Sequence, residues 1–179
     1  MKKLLRLCST FALSSLMLAC TGLPEGVTPV SNFDSQQYLG KWYEVARLDH
    51  SFERGMSHVT ATYSMREDGG IRVLNQGYAQ DDRKWQQAEG KAYFVDNEDT
   101  GHLKVSFFGP FYGSYAVFDL EKDYQYAFIA GNTTSYLWLL ARSPQVSEAV
   151  KQDFIQQATQ LGFATEEIIW VDQNQPAPQ

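Results

Sequence analysis

The sequence predicts an all-β protein: an eight-stranded antiparallel up-and-down β-barrel with one C-terminal helix packed outside. Three observations carry this. Short β-rich runs succeed one another, the turns between them are short and polar, and a helical periodicity comes after the last run.

The runs cover residues 41–48, 59–66, 71–79, 88–95, 102–107, 112–119, 126–130 and 136–141. Glu67-Asp68-Gly69-Gly70, Asp81-Asp82, residues 96–101 and Gly131-Asn132 supply the polar turns that consecutive hairpins require. Eight such strands in order close into a barrel, which removes exposed edges and leaves room for one small ligand. A β-sandwich needs similar strand signals, so the runs alone favour the barrel only slightly. For the helix, Ser143 is the expected cap and Pro144 suits the first turn. Val146, Val150, Phe154, Ala158 and Leu161 then recur at helical spacing until Gly162 stops the run. That apolar stripe is expected on the barrel wall, with residues 168–171 as a short closing strand beside the first one.

At the N-terminus, Lys2, Lys3 and Arg6 precede an apolar run, 11–19, too short to span a membrane as a helix. Residues 1–19 read as a signal peptide. Residues 20–32 hold Gly22, Pro24, Gly26 and Pro29 with few large apolar residues, the composition of a flexible tether. One domain, 33–173, follows, and 174–179 form a polar tail.

The cysteines are Cys8 and Cys20. Cleavage before Cys20 removes the first, so the mature chain has no internal disulfide, and its barrel has no thiol for catalysis or metal binding. The formal charge of −6 becomes about −9 once Lys2, Lys3 and Arg6 leave with the signal. An acidic domain argues against nucleic acid as a partner and against attachment to an anionic bilayer through a basic patch. The chain lacks a Gly-x-Ser-x-Gly elbow, a His-Glu-x-x-His pair, a phosphate-binding glycine loop and Cys-x-x-Cys. His50, His58 and His102 are scattered. We expect no metal site, no cofactor and no enzymatic activity. An envelope enzyme acting on a small lipophilic substrate is the alternative, with Glu44, Glu89 and Asp119 as its loosely placed candidate carboxylates.

Two stretches go further: Tyr38-Leu39-Gly40-Lys41-Trp42-Tyr43-Glu44-Val45-Ala46-Arg47, with its Gly-x-Trp triplet, and Leu137-Trp138-Leu139-Leu140-Ala141-Arg142. With Ala61-Thr62-Tyr63-Ser64, residues 85–92 and residues 104–113, they make residues 33–173 resemble the lipocalin family, above all its bacterial branch and its animal relatives of the apolipoprotein D type. The resemblance implies that Trp42 closes the barrel base, that Gly40 lets the chain turn into it, and that Arg142 lies across the tryptophan ring. The family's Thr-Asp-Tyr turn is matched only in position and polarity by residues 120–124. Leu16-Met17-Leu18-Ala19-Cys20 resembles a bacterial lipoprotein signal, although Met17 stands where leucine is usual. That resemblance implies acyl chains on the thiol and amine of Cys20, and two or more chains hold a protein stably on a membrane. Thr21, where inner-membrane retention has aspartate, points to the outer membrane. The family's isomerase depends on a barrel cysteine absent here, and some bacterial members pair, which makes a homodimer a candidate assembly.

Strand alternation gives a first map of the cavity. Tyr136, Trp138, Leu140 and Arg142 share a face, so Trp138 is expected to look into the cavity. Val59, Ala61, Tyr63 and Met65 form the more apolar face of the second run, which makes Tyr63 a lining candidate. Tyr112 matches a pocket position of the bacterial pattern, and Phe107 and Tyr126 are expected to line from composition. The Phe, Trp and Tyr residues make up 14% of the chain, ten of them tyrosines, and such walls suit an amphiphile better than a pure hydrocarbon. About a dozen buried methylenes at roughly 0.8 kcal/mol each give on the order of 10 kcal/mol before ordering costs, so a fatty chain needs no charged hook. The expected function is storage or transport of a fatty acid or lysophospholipid in envelope maintenance. A structural lipoprotein with a filled barrel is the remaining alternative.

Overall fold

The computed structural model describes residues 21–174. The expected signal peptide, Cys20 and residues 175–179 of the tail lie outside the described residues.

The strands are β1 (Gly40–Arg47), β2 (Met56–Met65), β3 (Ile71–Ala79), β4 (Lys84–Phe94), β5 (His102–Ser106), β6 (Gly113–Leu120), β7 (Tyr126–Ala130), β8 (Leu137–Ala141) and β9 (Ile169–Trp170). A short helix α1 (Ser35–Tyr38) precedes β1, and α2 (Glu148–Gln160) follows β8. From β1 to β8 each strand pairs antiparallel with the next, β8 returns to β1, and β9 adds to the outside of β1. The result is a closed barrel with one extra strand. β4 begins at Lys84, four residues before the predicted run, because Lys84–Gln87 pair with Gln76–Ala79. That polar stretch carries no hydrophobic alternation to announce it.

Apolar side chains collect in two places. One set fills the lower barrel around Trp42, Ile129 and Leu140, and the other lies between the barrel wall and α2 around Phe128, Leu139 and Phe154. The Phe154 ring meets that of Phe128 edge-on at 5.0 Å, and Ala158 one turn on is fully buried. The helix starts later than predicted. Ser147, extended and placed just before Glu148, accepts from the Val150 N–H, so it and not Ser143 is the cap.

The tether expectation for 20–32 is also corrected over its described part. Leu23 and Val27 pack into the cluster under α2, the Val30 N–H donates to Val117 O at 2.8 Å, and the Gly101 N–H donates to Val30 O at 2.9 Å. Ser31 bridges to Thr100, and Phe33 is buried. Few apolar residues suffice because each meets a seam of the barrel wall and the backbone finds partners there.

Candidate functional site

At the lower end of the barrel, α1 brings Tyr38 beneath Trp42, whose indole N–H donates to Tyr38 O at 2.8 Å. The Arg142 guanidinium lies 3.9 Å over the Trp42 ring and donates to the carbonyls of Gln37, Leu39, Lys41 and Tyr124. Gly40 has φ +95, and a Cβ there would stand 3.4 Å from an Arg142 nitrogen, so glycine meets both the backbone conformation and the close approach. This end is shut.

Above it lies a cavity of about 280 Å³ whose walls include Tyr63, Val73, Val105, Phe107, Tyr115, Trp138 and Leu140. Of the five lining candidates, Tyr63, Phe107 and Trp138 border it. Tyr112 and Tyr126 do not. The inward residues of β6 are Tyr115 and Val117. Tyr112 precedes the strand with the opposite parity, and its ring stands 6.4 Å from Tyr93 and beneath the Lys104 ammonium on the outer wall. In β7 the inward pair is Ala127 and Ile129, whereas Tyr126 stacks on Phe128 at 5.6 Å in the cluster under α2.

Tyr115 is one of the lining residues the sequence reading missed, and alternation counted from the start of β6 would have found it. Its hydroxyl joins those of Tyr38 at 2.7 Å and Tyr63 at 2.9 Å. Burial pushes all three phenols up, so the cavity floor is a chain of neutral hydroxyls.

Towards the open end the wall changes character. The β1–β2 connection turns inward and places Phe52 and Glu53 on the cavity. A second chamber of about 600 Å³ beside the mouth shares Phe52, Glu53, Asn75 and Phe107 with the first, so these four form a neck between them. Glu53 Oε2 accepts from the Trp138 N–H at 3.2 Å and lies 3.1 Å from His50 Nε2. Glu44, 3% exposed, accepts from Arg47 at 2.7 Å. That pairing fits the register shift between Glu44 and Ala46, a bulge that breaks the alternation of β1 and brings the residue three positions on back to the same face, Glu44 standing opposite Leu140 and Arg47 opposite Trp138. Burial, then the charge of Glu53, push the Glu44 carboxyl well above its ordinary range, with Arg47 pulling the other way. For Glu53 burial raises the carboxyl, but the hydrogen bond and charge of His50, with Trp138 and Arg47, hold it below that range. The two carboxyls are thus pushed apart, the protonated form being favoured on Glu44 and the ionised form on Glu53. The other carboxylates proposed for an enzyme are outside: Glu89 pairs with Arg72 at 2.6 Å, and Asp119 accepts from Gln157 on α2.

The family model of the lipocalin-like domain matches residues 33–173. The chain is 57% identical over 161 residues to the outer membrane lipoprotein Blc of Vibrio cholerae, a match covering 89% of this chain and 94% of that one. It is 50% identical over 173 residues to the protein of the same name from Escherichia coli K12, covering 96% and 98%. Among solved structures, insecticyanin of the tobacco hornworm Manduca sexta superposes with a TM-score of 0.70 at 19% identity, covering 88% of this chain and 90% of that one, a likeness of fold.

Proposed function

The chain belongs to the lipocalin-like family, and from that premise we propose that it binds one single-chain lipid, a fatty acid or lysophospholipid, in its barrel and stores or carries it within the envelope. The observation that carries this reading is the cavity: shut at the base by Trp42 and Arg142, walled by Val73, Val105, Phe107 and Leu140, and reached from the open end. At about 280 Å³ it stands just below the range of roughly 300–1,000 Å³ usual for small-molecule sites, which suits one acyl chain rather than two. An open volume of this size also runs against a filled, purely structural barrel.

The protein resides at the outer membrane, as its relatives named outer membrane lipoproteins do. The anchor in this reading is an acylated Cys20. Since Leu23 already packs on the barrel wall, that anchor would hold the domain close to the bilayer, within reach of lipid leaving it. The family is one of binding proteins. The enzyme reading retains Glu44, a buried carboxyl on the cavity, as its one inward candidate.

Native mass spectrometry of the domain without signal and Cys20, after delipidation and exposure to a bacterial lipid extract, tests the proposal. One fatty acid or lysophospholipid per barrel is expected, and Trp138→Arg should abolish its retention without unfolding the domain. A folded domain that retains no lipid would refute it.

A further inference from the structure

The neck is built unlike the rest of the cavity. Glu53 comes from a loop, yet its side chain is only 8% exposed, and its carboxylate faces a space walled by aromatic rings. The rings of His50 and Phe52 stack at 4.0 Å, those of Tyr136 and Trp138 at 6.0 Å, and His50 lies 5.2 Å from Trp138. Glu44 adds a second carboxyl on the same cavity. Among the described residues neither chamber is lined by a lysine or arginine. Among the described residues the basic side chains beside the two carboxyls are Arg47, 1% exposed and donating to Glu44, to Glu53 O and to Met56 O, and His50, whose Nε2 lies 3.1 Å from Glu53 Oε2.

A carboxylate edged by aromatic faces, with basic side chains kept off the lining, discriminates between lipid heads by charge. An ammonium gains from both elements: the carboxylate accepts its protons or its charge, and the rings present their negative faces to it. An anionic head meets a like charge in a setting that screens poorly. We propose that the neck around Glu53 is a head-group site for an ammonium, so that among lysolipids the barrel selects those with a zwitterionic amine-bearing head over those with an anionic one. This rests on the lipid-binding reading and narrows it to a chemical class.

The second carboxyl gives the site a linkage to pH. The groups facing Glu44 and Glu53 are Arg47 from β1, His50 from the loop and Tyr63 from β2, while β8 presents the Trp138 N–H. Burial and the charge of Glu53 favour the protonated form of Glu44, which lines the same cavity, and an ammonium in the neck favours the ionised form, so binding of amine-bearing lipids tightens as pH rises through the range where Glu44 titrates, and binding of an uncharged lipid of the same chain does not.

Isothermal titration of the delipidated domain with lysophosphatidylethanolamine, lysophosphatidylglycerol, monoacylglycerol and free fatty acid of one chain length tests this. Lysophosphatidylethanolamine is expected to bind about tenfold or more tighter than lysophosphatidylglycerol. Glu53→Gln should erase that preference, and raising the pH should widen it in the parent protein. Equal affinities for the two lysophospholipids, or tighter binding of the anionic one, would overturn the head-group site and leave lipid binding standing. If none of the four binds, the lipid-binding reading falls and the head-group site with it. The comparison of heads on the parent protein decides the matter even if Glu53→Gln does not fold.

Discussion

Arg142 illustrates how much a single side chain can hold together. Its guanidinium covers Trp42 and donates to four backbone carbonyls, one in α1, one between α1 and β1, one in β1 and one in the β6–β7 turn. A lysine keeps the charge but loses the planar fork. Arg142→Lys should therefore lower stability by about 1–3 kcal/mol in urea unfolding, and a loss below about 0.5 kcal/mol would contradict the role given to it. Glu44 makes the opposite kind of contribution. Its folded-state pKa lies above the unfolded one, so the stability tied to its proton is fully present below the ordinary carboxylate range and is lost as pH rises through the raised value. Glu44→Gln still accepts from Arg47 and has no proton to lose. Its stability should fall less steeply with rising pH than the parent's, and parallel profiles for the two proteins would refute the assignment.

The strands and α2 show which elements a sequence declares. Residues 71–79 and 126–130 are short runs with large apolar residues bounded by turn residues, and β3 and β7 occupy those ranges. The first half of β4 was illegible because Trp85 alone stands out in a polar stretch that pairs along the outer hairpin. Helix α2 was legible in its apolar face but not at its start, where Ser143 and Ser147 carry the same cap chemistry and the tertiary path of residues 143–147 decides between them. Ser147→Ala should cost about 1 kcal/mol by thermal unfolding, while Ser143→Ala should stay within about 0.5 kcal/mol. A larger effect at 143 would return the cap to the position the periodicity suggested. For the site, Tyr63 and Trp138 were read from alternation within well-marked strands, and Tyr112 and Tyr126 fell on the wrong face because each was chosen without that parity. Glu53 and Phe52 were beyond reach: they belong to a loop whose inward turn is set by Arg47, His50 and Trp138, contacts distant from any local pattern.

At the scale of the whole molecule, the described N-terminal segment is part of the barrel and not a spacer. A domain that begins at residue 32 forfeits the burial of Leu23 and Val27 and the two hydrogen bonds of Val30, and should be less stable than one beginning at Thr21 by roughly 2 kcal/mol or more. Equal melting temperatures would restore the tether. The central claim is that a lipid chain occupies the barrel between the Trp42 floor and the Glu53 neck, and photo-crosslinking locates it most directly. A lysophospholipid carrying a diazirine at the end of its acyl chain should label Tyr63, Val73, Val105, Tyr115 or Leu140, as read by peptide mass spectrometry. Labelling confined to the outer surface, at Ile155, Ile169 or Trp170, would contradict it.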